Sequence, residues 1–341
     1  MKLDVGMSVE TDQLAGAANL ARAAELLGLA GLWTNETKHD SFLPLVLAAQ
    51  QSTRLELGTA VAIAFPRSPM VMAQTAWDLQ AFSSGRLLLG LGTQVKAHIE
   101  RRFSTTWDAP VARLRDYIGA LRAIWTAFQT NAPLRYEGPY YRHTLLTPFF
   151  NPGPIAHPQI PIFIAGVNTG LAQLAGEVAQ GFHVHPFHSA HYLAEVIRPA
   201  IAAGAIAAGR NSDEVVLAAS VFVITGASAG ERERLRARVR EQIAFYASTP
   251  TYQGVLAAHG WEDAGAALSR LARAQRWREM GALIDDRMLA TFALETEPDA
   301  LGAALRERYR GLVDRVSLYL PFVPGERDAF WRATAETLAI P

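Results

Sequence analysis

The chain has 341 residues, half of them hydrophobic and 19% charged, which excludes a disordered segment and supports a large core. Lysine plus arginine equals aspartate plus glutamate at 32 each, so no global charge draws the chain to nucleic acid or to an anionic membrane. The absence of cysteine removes disulfides, thiolate zinc sites and cysteine nucleophiles, and is compatible with a reducing cytoplasm.

The N-terminal MKLDVGMSVE has no apolar core of the kind a signal peptide carries and reads directly as a strand. No apolar run reaches about 18 residues, so no membrane span is expected. Strand-like runs fall at 3–9, 30–35, 55–63, 86–92, 160–166, 181–186, 215–224 and 316–321. Between them lie helical patterns at 12–27, 42–53, 69–82, 109–128, 169–178, 190–208 and 229–248, and a last helix at 326–338 follows the eighth strand. The strands are short, apolar nearly throughout and bounded by glycine or polar residues, as parallel strands covered by helices are. Eight strands alternating with eight helices predict an α/β chain folded as a single (β/α)₈ TIM barrel over 1–341. Two segments exceed the minimal barrel: an excursion at 130–159, rich in proline, glycine and aromatics, and a run of short extra helices at 249–298.

In such a barrel the loops after the strands lie at the C-terminal face, where the chemistry is carried. After the second strand comes TNETKHDS, eight polar residues between two apolar segments. It reads either as a solvated loop with a helix cap or as a site, with Glu36 and His39 as candidate acid and base and Lys38 directed to solvent or paired with Asp40. After the third strand, Ser68-Pro69 marks a helix start. After the fourth, Gly90 and Gly92 admit close approach to the strand end, and His98, Arg101 and Arg102 form either an anion-binding rim or an exposed cationic helix face. After the fifth, AGVNTG opens a helix whose free amides suit a phosphate. After the sixth, GFHVHPFHSAHY carries His183, His185, His188 and His191. His183 and His185 share a strand face, so a metal pair is conceivable, but the acidic candidates Asp4, Glu10, Glu36 and Asp40 form no dedicated cluster, and a pocket lined by imidazoles is the preferred reading.

Together these pieces resemble the luciferase-like superfamily, and more closely its coenzyme F420-dependent oxidoreductase branch. The most specific stretch is ELGTAVAIAFPRSPMVMAQTAWDLQAFSSGRLLLGLGTQ at 56–94, where Gly58, Thr59, Val61, Arg67, Pro69, Ala73, Leu79, Ser83, Gly85, Arg86, Leu89, Gly90 and Gly92 match the family pattern. AGVNTGLAQLAGEVAQGFHVHPF looks like the family's phosphate turn and its approach to the sixth strand. The resemblance implies a barrel holding F420, or FMN, across its C-terminal face. It also implies a bulge in the third strand, often with a non-proline cis peptide, placed here at Ala60-Val61 against the cofactor ring. The phosphate turn maps to Gly166, Val167 and Asn168, and Thr93 and His98 fall at cofactor-contacting positions. Glu36 takes the family's acidic place after the second strand. Thr37 stands where a histidine is expected, with His39 two residues on, and Val95 replaces an acid found in some dehydrogenases. These departures weigh against the sugar-phosphate dehydrogenase mechanism and leave cofactor binding in place.

The resulting expectation is an oxidoreductase moving hydride between F420 and a small organic substrate. Glu36, His39 or His185 would do the proton work, with His98 as a further alternate, and the resemblance implies a homodimer. The rival readings are an FMN-dependent monooxygenase, a cofactor-binding protein without catalysis, and a metal-dependent hydrolase using the histidine cluster.

Overall fold

The computed structural model describes residues 1–7 and 13–340. The expected tail of the first strand, the start of the first helix at Asp12, and the candidate Glu10 lie outside the described residues.

Eight parallel strands close on themselves. β1 (Lys2–Gly6), β2 (Gly31–Thr34), β3 (Glu56–Thr59), β4 (Leu87–Gly92), β5 (Ile162–Gly166), β6 (Gly181–Val184), β7 (Val216–Ile224) and β8 (Arg315–Leu318) pair in chain order. β8 then pairs with β1 through Arg315 against Lys2 and Val316 against Leu3. The (β/α)₈ barrel expected from the alternation is the fold observed. β2, β4 and β6 are buried along their whole length, which explains why these segments read as continuous apolar runs and not as alternating ones.

Two cores result. The larger lies between strands and helices. The smaller, Trp33, Leu88, Phe163 and Ala218, draws one residue from each of four strands and fills the barrel interior, with Ala60 and Val216 against it. The helices Pro69–Phe82 and Thr169–Val178 have the predicted limits. Ser68 caps the first of these, its Oγ accepting from the Val71 amide at 3.3 Å, with Pro69 in the first turn. The helix predicted at 190–208 is interrupted by a π-helical turn at Leu193–Ile197.

The excursion after helix Pro110–Thr130 carries a small antiparallel hairpin, Tyr136–Glu137 with Arg142–His143. One buried carboxylate staples it to that helix. Asp116 accepts from the Tyr136 hydroxyl at 2.6 Å and from the Tyr140 and Tyr141 amides at 2.8 and 2.9 Å. A Cβ at Gly138 would sit 1.9 Å from the Asp116 carboxylate, so the turn requires glycine there.

The helix Ala229–Ala247, expected as the seventh barrel helix, packs against Glu262–Arg273, Trp277–Met280 and Asp286–Phe292. The chain returns to β8 through Leu301–Tyr309, which packs on the last helix Asp328–Ala339. A short strand, Ala293–Glu295, pairs in parallel beside the upper end of β7, at Phe222–Ile224. Among the described residues no helix is long and apolar enough to cross a membrane.

Candidate active site

The polar loop after β2 is tightly knit. Thr34 is buried at the strand end, and its hydroxyl donates to the Ser41 carbonyl at 2.6 Å, closing the loop. The Thr37 hydroxyl donates to the Asn35 side chain at 3.0 Å, and Arg102 donates to the Thr37 carbonyl. Asp40 Oδ1 accepts from the Phe42 and Leu43 amides at 2.7 and 3.1 Å, capping helix Leu43–Gln51.

Arg67 clamps the loop. Its Nη1 donates to Glu36 Oε2 at 2.7 Å and its Nη2 to Asp40 Oδ2 at 2.9 Å. Of the two readings of Lys38, direction to solvent is the one observed: it is exposed, and the partner of Asp40 is Arg67. A planar guanidinium spans two carboxylates where an ammonium reaches one. The Ile63 amide also donates to Glu36 Oε2 at 2.7 Å, so both donors meet one oxygen. Oε1 of Glu36 has no hydrogen-bond partner among the described residues and can accept from a ligand. His39 is exposed at the rim with no hydrogen bond among the described residues.

Glu36 thus grips the segment that follows the break in β3. The strand stops at Thr59 and resumes at Ala62–Ile63, and the Ala60-Val61 peptide between is cis, the geometry the family resemblance leads one to expect. Ala60 and Val61 are half-buried. The glycines of β4 make room for this break. A Cβ at Gly90 would lie 1.7 Å from the Thr59 carbonyl oxygen, and one at Gly92 would lie 2.5 Å from Val61 Cγ2. The Thr59 hydroxyl donates to the Gly90 carbonyl at 2.6 Å, locking the two strands. Thr93 is buried at the end of β4 and donates to the Gln94 carbonyl at 3.2 Å.

The cationic rim is not assembled as one group. His98 is exposed on the short helix Lys96–Arg101 without a side-chain hydrogen bond among the described residues. The Arg102 guanidinium stacks 4.8 Å over the Phe103 ring while holding Thr37.

The turn after β5 has the form expected of an anion site. A Cβ at Gly166 would fall 2.8 Å from Leu171 Cβ, so the tight turn needs glycine. Asn168 stands at the N-cap of Thr169–Val178 but does not cap it; its amide donates instead to the Thr251 carbonyl at 2.9 Å. The first-turn amides of that helix are left without a side-chain acceptor, and residues 168–170 are exposed. Free amides at the positive end of a helix favour a phosphate or carboxylate. Val167 is fixed through its carbonyl, which accepts from the Tyr192 hydroxyl at 3.1 Å.

The four histidines in and after β6 go four ways. His183 is buried in the barrel, its ring 4.6 Å from Trp33 and 5.2 Å from Phe163. Burial, with Arg315 nearby, pushes its imidazole down to about 3. Its Nε2 has no hydrogen-bond partner of ordinary geometry, although the Thr59 backbone lies beside it. His185 stands among Tyr246 and Tyr252, with ring centroids at 4.6 and 4.7 Å, and burial beside His188 pushes it down to about 3. His188 hydrogen-bonds the Tyr309 hydroxyl at 3.0 Å and is pushed down to about 4 by burial. His191 lies 5.3 Å from His259. Among the described residues no three histidine or carboxylate groups are gathered to hold a metal ion. The metal-dependent rival therefore lacks a ligand set among them.

The sequence reading named Arg67 only as part of a pattern and missed its clamp on Glu36 and Asp40. It missed Tyr246 and Tyr252 altogether: Tyr246 lies near the end of the predicted helix 229–248, where nothing in the sequence marks it as facing the strand ends, and Tyr252 lies at the start of the insertion, in a short turn without a motif.

Comparison with known proteins fits this geometry. An uncharacterized protein of Mycobacterium tuberculosis, Rv1360, is 48% identical over 305 residues, covering 89% of this chain and 90% of the relative. The 5,10-methylenetetrahydromethanopterin reductase of Methanolobus tindarius is 26% identical over 329 residues, covering 94% and 95% of the two chains. The solved structure of the coenzyme F420 dependent tetrahydromethanopterin reductase from Methanopyrus kandleri superposes with a TM-score of 0.78 over 99% of this chain and 98% of that one, at 18% identity. Residues 1–315 match the description of the luciferase-like monooxygenases, and the chain belongs to that family of enzymes.

Proposed function

We propose that this chain is an oxidoreductase that uses the deazaflavin coenzyme F420 to exchange hydride with a small organic substrate. The observation that carries the reading is the uncapped, exposed helix start at Thr169, on the same barrel face as the opened β3. Similarity to reductases of methylenetetrahydromethanopterin, one of them described as F420 dependent, supports the choice of cofactor.

The residues present fit such a group. The amides after Asn168 would take its phosphate, with Gly166 and Val167 shaping the turn. Ala60 and Val61 would lie under its ring, with Thr93 at the adjoining strand end. Glu36 Oε1 can accept from a ring N–H while Arg67 and Ile63 hold the other oxygen. A bound deazaflavin supplies two-electron hydride chemistry. The protein must then manage one proton, and His39, free and exposed beside Glu36, is placed to exchange it with solvent. His185 is the alternate, as a neutral hydrogen-bonding group.

The rival within the family is an FMN-dependent monooxygenase, favoured by the family description itself. Titration of the apoprotein with F420 and with FMN, followed by cofactor fluorescence, tests the choice. The proposal expects F420 to bind more tightly than FMN; micromolar FMN binding with no detectable F420 binding would overturn it.

A further inference from the structure

Beside the proposed cofactor position lies a cradle of rings whose hydrogen-bonding capacity is only partly used. The Phe187 amide donates to His185 Nδ1 at 3.1 Å, so Nδ1 is the acceptor and the ring proton of neutral His185 sits on Nε2. That Nε2–H has no hydrogen-bond partner among the described residues. Tyr246 and Tyr319 share one hydroxyl–hydroxyl bond of 3.0 Å. Two phenols carry two O–H groups, and one bond between them uses one, so the other has no acceptor among the described residues and can donate to a ligand. Burial raises the Tyr246 phenol, with Tyr319 adding to the effect, which keeps it a donor at neutral pH.

The donors are neighbours, since the His185 and Tyr246 rings stand edge to face at 4.6 Å. Their surroundings are apolar and flat. Phe222 lies 4.8 Å from Tyr319 and Tyr252 lies 4.7 Å from His185. The rings in contact with His185 and Tyr246 are Tyr252, Phe222 and Phe245, and among the described residues no lysine, arginine or carboxylate side chain hydrogen-bonds to His185, Tyr246, Tyr252 or Tyr319. Tyr319 is 37% exposed at the edge of the cradle, so an anion placed against His185 and Tyr246 would lose part of its water without a hydrogen-bonded cation in return, whereas a neutral oxygen needs only the two donors.

We propose that this cradle holds the oxygen of an uncharged carbonyl or alcohol on a flat or apolar molecule, bound by His185 Nε2–H and the unused tyrosine O–H. The proposal rests on the oxidoreductase reading only in taking the cradle as the substrate's half of the mouth. It names a neutral carbonyl or alcohol, and not a phosphorylated or carboxylated compound, as the substrate class.

The test is equilibrium binding to the full chain, by calorimetry, with and without F420. Acetophenone is the neutral probe and benzoate its anionic counterpart of similar size. Acetophenone should bind at least about tenfold more tightly than benzoate. The double variant Tyr246→Phe/Tyr319→Phe removes both hydroxyls and keeps both rings. It should weaken acetophenone binding about tenfold and leave F420 fluorescence titration unchanged. The single variant Tyr319→Phe keeps one hydroxyl and should change little, which controls for altered packing. Benzoate binding as tightly as acetophenone, no measurable acetophenone binding, or an unaffected double variant would each overturn the proposal. Neutral selectivity with no F420 binding would support the cradle and refute the cofactor reading, so the two failures are distinct.

Discussion

At each end of this barrel one arginine bridges two carboxylates, and the two clamps differ in what they leave open. At the lower end Arg315 donates to Asp4 through Nε at 2.8 Å and Nη2 at 2.7 Å, and to Glu56 through Nη1. Asp4 also accepts from the Trp33 indole at 2.9 Å. The side chains of Arg315 and Asp4 are 4% and 1% exposed, so this pair is sealed, while Glu56 at its edge is 29% exposed and also pairs with Lys2. At the upper end Arg67 and Asp40 are 20% and 36% exposed, and one oxygen of Glu36 is without a partner among the described residues. The lower clamp closes the barrel floor and fixes β1, β3 and β8. The upper one positions a loop and the opened end of β3 while keeping acceptor capacity for a ligand. The same side-chain chemistry is buried and saturated in the Arg315–Asp4 pair, as a structural contact is, and half-open at Arg67, as the proposed binding role requires.

The largest effect should come from breaking the lower clamp. Arg315→Met leaves Asp4 as a buried charge without its partner and should cost about 3–5 kcal/mol, read as a lower midpoint in urea unfolding. Next comes acid. The imidazoles of His183, His185 and His188 are held neutral by burial, at about 3, 3 and 4. Their folded values lie below the ordinary histidine value, so their contribution is complete above about 6.5 and is lost as pH falls toward these values. Unfolding curves should show stability dropping steadily through that window. His183→Phe, which removes one of the three, should flatten the fall.

Breaking the upper clamp should cost less stability and more function. Arg67→Met should lower stability by about 1–2 kcal/mol and weaken F420 binding at least about tenfold, measured by the same fluorescence titration. On the same loop but outside the clamp, His39→Asn should leave stability within about 0.5 kcal/mol while slowing turnover about 10²–10⁴-fold if His39 exchanges the proton. Lys38→Ala, which touches neither clamp, should do least to either readout.

Much of this contrast was legible in the sequence, and its limits are physical. The barrel could be read because strands and helices alternate with their own periods over the whole chain, and because Gly90 and Gly92 stand where β3 must approach β4. The opening loop carried the right residues in Glu36 and His39, yet its clamp was hidden: Arg67 lies 31 positions from Glu36, and an ion pair that distant leaves no periodic trace. Asp4 looked like a mouth acid because it sits on β1. Its pairing with Arg315, 311 positions away, emerges only when β8 closes the barrel beside β1. The two rings over His185 come from neighbouring elements, Tyr246 from the end of helix Ala229–Ala247 and Tyr252 from the start of the insertion, and their meeting at His185 follows from tertiary packing and not from any local pattern.

The most direct test sets the two clamps side by side. F420 affinity and urea stability are measured for the wild type, Arg67→Met and Arg315→Lys, the last retaining a charge beside Asp4 while losing the fork. The account predicts that Arg67→Met loses affinity at least about tenfold with a small shift in the unfolding midpoint, and that Arg315→Lys shifts the midpoint strongly with unchanged affinity. Full F420 affinity in Arg67→Met, or a loss of affinity in a folded Arg315→Lys equal to that in Arg67→Met, would contradict it.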